Sequence, residues 1–160
     1  MRTQTFQALA EKYMDMVYRV AYNSLNNPYD ADDVTQEVFL RLLRTDTAFA
    51  GEDHVKHWLL RVAVNESRRL ARSPWRRHTA ALEECAEIPQ WDTPQESDMF
   101  RQVMALPPKY RVPLYLYYYE ELTTQEIADA LGRSPSTVRT QLSRAREQLK
   151  SLLLEERSDA

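Results

Sequence analysis

The sequence predicts an all-α fold: two small helical domains joined by a flexible acidic linker, the second containing a helix-turn-helix. Three observations carry this. Apolar residues recur at helical spacing through most of the 160-residue chain, and no stretch alternates with the period of a strand. Only two glycines are present, Gly51 and Gly132, too few for a turn-rich all-β protein. Prolines stand where helices start or stop, and a composition of 43% hydrophobic and 28% charged residues is that of a folded chain.

Phe6, Leu9, Tyr13, Val17 and Val20 give the first helix, from about Thr3 to Ser24, its apolar stripe. Asn26, Asn27 and Pro28 break it, and Asp30 is expected to cap a second helix reaching Arg44. Val34, Val38 and Leu42 are its core stripe. After the loop Thr45 to Glu52, Asp53 can cap a third helix ending near Arg72, ahead of Pro74. Residues 73–92 hold Pro74 and Pro89 without sustained period and read as a linker, leaving domains at 1–72 and 93–160. Thr93-Pro94-Gln95-Glu96 is a capping box opening a helix with Met99, Val103 and Leu106 on one stripe. Pro107 and Pro108 end it and start the next, which runs through Tyr115 to Glu120 and should kink at Pro113. Thr123-Thr124-Gln125-Glu126 is a second capping box, for a short helix to Leu131. Gly132 supplies a turn, and Ser134-Pro135 starts a last helix reaching about Leu154.

Net charge is −3, but its distribution is uneven. Arg61, Arg68, Arg69, Arg72, Arg76 and Arg77 face only Glu66 within residues 61–78. Residues 79–100 carry Glu83, Glu84, Glu87, Asp92, Glu96 and Asp98 with no Lys or Arg. Residues 139–150 turn basic again through Arg139, Arg144, Arg146 and Lys150. Two basic segments around an acidic one point to two nucleic-acid contacts, or to solvated faces of mixed sign. Several classes drop out. Phosphate-cradling loops need clustered glycines. The lone Cys85 excludes an internal disulfide and fits a reducing cytoplasm. No apolar run approaches membrane-spanning length and no signal-peptide pattern opens the chain, so no membrane insertion is expected. His54, His57, His78 and Cys85 lack compact ligand spacing, so neither a metal nor a cofactor is expected. No nucleophile, base and carboxylate set suggests an enzyme.

In the last two helices Ile127 and Leu131 should face Val138 and Leu142, with Ala128 allowing close approach. Ser136, Arg139, Thr140 and Ser143 then lie outward at the N-terminal end, where a recognition helix meets base edges in the major groove. Arg139 suits guanine, Thr140 and Ser143 suit either base type or a thymine methyl, and Arg144 and Arg146 suit phosphates. In the third helix Arg61, Asn65, Arg68 and Arg72 share a stripe about 60° wide, opposite Val55, Leu59, Val62, Ala63 and Leu70. That stripe fits a nucleic-acid groove, or plain solvent. Phe49 and Trp58 are expected in the core, although aromatics beside a basic groove can hold an unstacked base. On the second helix Leu40 and Leu43 share a face with Asp32, Asp33 and Gln36. Such a face is either a protein interface or the second buried side of a helix, and its acids would repel DNA.

These residues resemble a known family. Asp30-Ala-Asp-Asp-Val-Thr-Gln-Glu-Val-Phe-Leu-Arg-Leu-Leu43 resembles the core-binding helix of bacterial sigma factors of the extracytoplasmic-function type, in the sigma-70 family. Trp58-Leu-Leu-Arg-Val-Ala-Val-Asn65 resembles their promoter-melting helix. Leu106-Pro-Pro-Lys-Tyr-Arg111, Leu131-Gly-Arg-Ser-Pro-Ser-Thr-Val-Arg-Thr140 and Arg144-Ala-Arg146 resemble their second domain. The resemblance implies a cytoplasmic initiation factor that binds core RNA polymerase through Asp32, Asp33, Gln36, Glu37, Leu40 and Leu43. It implies a first domain that meets the −10 element through Phe49, Arg61, Asn65, Arg68, Arg69 and Arg72, the loop Thr45 to His54 capturing a flipped base. It implies a second domain that reads the −35 element through Ser136, Thr137, Arg139, Thr140, Ser143, Arg144 and Arg146. Promoter DNA, core polymerase and an anti-sigma protein are the implied partners. The competing readings are a stand-alone dimeric helix-turn-helix regulator and, behind it, a helical nuclease.

Overall fold

The computed structural model describes residues 2–73 and 94–158. The expected linker from residue 74 on, with Cys85, and the Thr93 cap lie outside the described residues. The chain divides into two compact units, Met1–Ile88 and Pro89–Ala160, and every described element is a helix.

The first unit packs helices α1 (Thr3–Leu25), α2 (Pro28–Arg44) and α3 (Glu52–Ala71) on one another. Tyr13, Met16, Val17, Val20, Ala21 and Leu25 of α1 meet Val34, Val38 and Leu42 of α2 in its core. Asn26 ends α1 in the left-handed region at φ 53°, its N–H donating to the Tyr22 carbonyl at 2.7 Å. The cap of α2 is Asn27 rather than Asp30. Its Oδ1 accepts from the N–H groups of Tyr29 (2.9 Å) and Asp30 (3.0 Å). Pro28, with φ already fixed for a helix, takes the first position and puts Asp30 inside the first turn, buried. In the same way α3 opens after Gly51, so Asp53 sits within the first turn instead of capping it. There Glu52 and Asp53 oppose the positive end of the helix.

The buried arc of α3 is wider than one stripe because the helix packs against both α1 and α2. Val55, Leu59 and Ala63 are buried as expected, joined by Leu60, Val64, Glu66 and Ser67. Val62 and Leu70 are only half-buried, Val62 at the edge of the arc and Leu70 near the helix end.

The second unit contains α4 (Pro94–Met104), α5 (Pro108–Tyr118), α6 (Thr124–Leu131) and α7 (Pro135–Ser158). α4 stops two residues before Leu106, which is buried, while Met99 is exposed and not part of a core stripe. α5 carries Pro113 inside it, fully buried, and ends at Tyr118 instead of Glu120. The capping box of α6 is complete: the Glu126 N–H donates to Thr123 Oγ1 (3.1 Å) and the Thr123 N–H to Glu126 Oε1 (3.0 Å). Gly132 closes α6 at φ 66°. Ser134 Oγ accepts from the Thr137 N–H (3.2 Å) and starts α7 ahead of Pro135. Ile127, Ala128, Leu131, Val138, Leu142 and Ala145 are buried between these helices.

A Cβ on Gly132 would meet no atom within 4 Å, so the cost of substitution there is conformational alone. Gly132→Ala should lower stability by about 1–2 kcal/mol, and Gly132→Asn, which tolerates positive φ, by less. Urea unfolding followed by circular dichroism checks this; equal midpoints for all three proteins would contradict it.

Candidate nucleic-acid interface

The turn at Gly132 sets the pose of α7. Val138, Leu142 and Ala145 face inward, which leaves Ser136, Thr137, Arg139, Thr140, Ser143, Arg144 and Arg146 exposed. Arg133, half-buried beside the turn, donates to Gln141 Oε1 at 2.8 Å, and burial pushes its pKa below the ordinary value. Thr137 shares a hydroxyl hydrogen bond of 2.9 Å with Ser134. Thr140 Oγ1 donates to the Ser136 carbonyl at 3.1 Å, leaving its lone pairs and methyl group outward. Arg139 is exposed, with its guanidinium bonded to none of the described residues.

Two further arginines of α7, Arg144 and Arg146, lie against tyrosines of α5. The Arg144 guanidinium beside the Tyr110 phenol pulls the Tyr110 pKa below its ordinary value. Arg146 Nε donates to Tyr118 Oη at 2.8 Å, its guanidinium 5.4 and 5.5 Å from the ring centres of Tyr117 and Tyr118. Arg146 is therefore presented in a chosen pose, its charge still outward. The run of aromatics at Tyr115 to Tyr119, two helices before a basic helix, was the available signal.

In the first unit His54, Trp58, Arg61, Asn65, Arg68 and Arg72 follow each other at three- and four-residue steps, so they share one face of α3. Arg61, Asn65 and Arg72 are exposed and Arg68 is half-buried. Phe49 and Trp58 are half-buried and do not enter the core. The Phe49 ring packs edge-on against Trp58 (5.6 Å) and His54 (5.1 Å), an aromatic cluster beside the basic face. The core offers them no place because α1 and α2 already fill the buried side of α3.

Arg69 has another partner. Its Nε and Nη2 donate to Glu66 Oε2 at 3.1 and 2.9 Å. The Glu66 side chain is 4% exposed, and Arg41 Nη2 reaches its other oxygen from α2. Arg41 also pairs with Glu37, so Glu37, Arg41, Glu66 and Arg69 form one chain of charges from α2 to α3. The i,i+3 spacing of Glu66 and Arg69 was visible in sequence; the long-range partner Arg41 was not.

Along α2, Asp32, Asp33 and Gln36 are exposed and Glu37 is half-buried. Leu40 and Leu43 are 41% and 43% exposed, so this helix is not buried on two sides. Two leucines ringed by acids on a free face have the composition of a protein interface. Among the described residues no group of His, Cys, Asp and Glu is arranged to hold a metal, and no helix is long and apolar enough to cross a membrane.

Comparison with known proteins follows the same division. The family described as Sigma-70 region 2 matches residues 9–77, and that described as Sigma-70, region 4 matches residues 98–149. The ECF RNA polymerase sigma factor SigE of Mycolicibacterium smegmatis is 30% identical, over 97% of this chain and 64% of its own length. The ECF sigma factor SigW of Bacillus subtilis is 26% identical, over 92% of this chain and 88% of its own. Among solved structures, the sigma factor RpoE bound to the anti-sigma factor NepR, from Bartonella quintana, shares the fold at a TM-score of 0.76 and 20% identity. That match covers 94% of this chain and 98% of RpoE. CnrH, solved with the cytosolic domain of CnrY, gives a TM-score of 0.62 at 22% identity, covering 95% of this chain and 89% of CnrH. Two helical units that carry regions 2 and 4 define a transcription initiation factor. This chain belongs to the sigma-70 family of RNA polymerase sigma factors, in its extracytoplasmic-function group.

Glu66→Ala removes the acceptor shared by Arg41 and Arg69. The expected loss is roughly 2 kcal/mol, less than for a fully buried pair because both arginines keep access to water. Thermal unfolding of the full chain measures it, and an unchanged transition would show that the charge chain contributes nothing.

Proposed function

We propose that this protein binds core RNA polymerase in the bacterial cytoplasm and directs it to promoters with its own −35 and −10 elements. It is not itself an enzyme. The observation that carries the reading is the pairing, within the first unit, of an exposed acid-and-leucine face on α2 with a basic, amide-bearing face on α3. A stand-alone DNA-binding regulator has no need of the first.

In this reading Asp32, Asp33, Gln36, Glu37, Leu40 and Leu43 dock on the polymerase. Residues 1–72 serve core and −10 binding, and residues 93–160 serve −35 binding. Arg61, Asn65, Arg68 and Arg72 run along the upstream part of the −10 element, while Arg69 acts mainly by ordering Glu66. The loop 45–51 with Phe49 and Trp58 receives a base that leaves the stack, and contacts in that site offset the lost stacking. Duplex opening then draws on binding free energy. Arg139, Thr140 and Ser143 read −35 base edges, with Ser136 and Thr137 beside them, while Arg144 and Arg146 hold phosphates. The tyrosine contacts support the phosphate roles, since a guanidinium already oriented loses less freedom on binding. A protein inhibitor that covers the two DNA-binding faces is the remaining partner, with the NepR-bound neighbour as its precedent.

The test is transcription of fragmented host DNA by bacterial core polymerase, with and without this protein, followed by mapping of transcript starts. Discrete new starts sharing two upstream motifs are expected; neither starts nor binding to core would overturn the reading. With a promoter in hand, Arg139→Ala should cost about 1–3 kcal/mol on the cognate −35 site and relax preference at one position. Arg144→Ala should weaken all sequences alike and flatten the salt slope by about one. Equal losses on every sequence for both variants would contradict this division of roles.

A further inference from the structure

The loop between α2 and α3 is tied at both ends by side chains, and one tie depends on a proton. At its start Thr45 Oγ1 accepts from the Thr47 N–H (3.2 Å) and pairs with the Thr47 hydroxyl (2.8 Å). At its end the Ala50 N–H donates to Nδ1 of His54, 2.9 Å away in the first turn of α3. Between the two, Phe49 lays its ring edge-on to His54 and Trp58. His54 thus backs the loop twice, through a backbone hydrogen bond and through a ring contact.

Nδ1 can accept only while it carries no proton, so the neutral ring keeps its N–H on Nε2. In the imidazolium both nitrogens are donors, and the Ala50 N–H would face another N–H. The titratable groups next to His54 in the chain are Glu52, Asp53, Lys56 and His57, with Asp46 in the loop before it. From α1 comes Lys12, already paired with Glu52 at 2.6 Å.

We infer that neutral His54 is the positioning residue of the loop 45–51, setting the place of Phe49 beside Trp58 and the basic face of α3. The functional consequence rests on the reading of this loop as the base-capturing element. Protonation of His54 releases Ala50 and Phe49, and promoter opening weakens while duplex −35 binding stays unchanged. His54→Asn supplies a carbonyl acceptor that does not titrate; His54→Leu supplies none.

Nuclear magnetic resonance of the full chain tests the positioning directly, from about pH 8 to about pH 5, the span in which imidazoles titrate. The Ala50 amide signal should move with the midpoint of the His54 ring in the native protein. It should stay fixed in His54→Asn and be displaced at every pH in His54→Leu. An Ala50 signal that ignores the His54 midpoint, or still titrates in His54→Asn, overturns the inference. Transcription with core polymerase, expressed as the ratio of native protein to His54→Asn, removes the polymerase's own pH response. On duplex promoter that ratio should fall roughly fivefold across the range, as one hydrogen bond supports, and on a template opened in advance it should not change. A titrating Ala50 signal with a flat ratio upholds the positioning role and instead sinks the base-capture reading.

Discussion

The carboxylate of Glu66 lies buried between α2 and α3, with Arg41 on one oxygen and Arg69 on the other, and the outward faces of the first unit depend on that pairing. A charge placed there without partners would be costly. Paired, it fixes the rotation of α3 against α2 more sharply than apolar contacts do, because a hydrogen bond has direction and dispersion has little. The acidic leucine face and the basic face are therefore held at one angle to each other.

The second unit reaches the same end by other means. Its core is small, and much of its order comes from helix ends: the reciprocal cap of Thr123 and Glu126, the left-handed Gly132, and Ser134 at the start of α7. These fix the direction in which α7 leaves the turn. Tyr117 and Tyr118 then orient Arg146, and Tyr110 lies beside Arg144. Only Arg139, Thr140 and Ser143, the residues suited to base edges, are left without such a clasp from α5 among the described residues. Phosphates sit at regular positions on any duplex and reward a preset cation, whereas base edges reward a side chain that can adjust.

Much of this was legible in the sequence. The seven described helices and the inward stripes of α2 and α7 follow from period and capping residues alone, because both are local properties. Helix starts were misplaced by a few residues where two caps competed: Asn27 outranks Asp30 once Pro28 takes the first helical position. The face of α3 was harder, since a helix that packs on two neighbours buries half its circumference and a stripe count sees one. The placement of Phe49 and Trp58 was misread for the same reason; hydrophobicity gives their preference for cover but not whether room remains. The Arg41 to Glu66 contact and the tyrosine clasps join residues distant in sequence, and no periodicity encodes them.

The reading as a whole turns on the exposed leucines of α2, the feature that a DNA-binding regulator would not keep. Affinity for core polymerase, measured by titration with the native protein and with Leu40→Glu/Leu43→Glu, addresses it most directly. Both side chains are outside the core, so thermal unfolding should be unchanged while affinity falls at least roughly tenfold, as for anchors at the centre of an interface. Undiminished affinity in the doubly substituted protein would contradict the account, since this face would then have no part in binding polymerase.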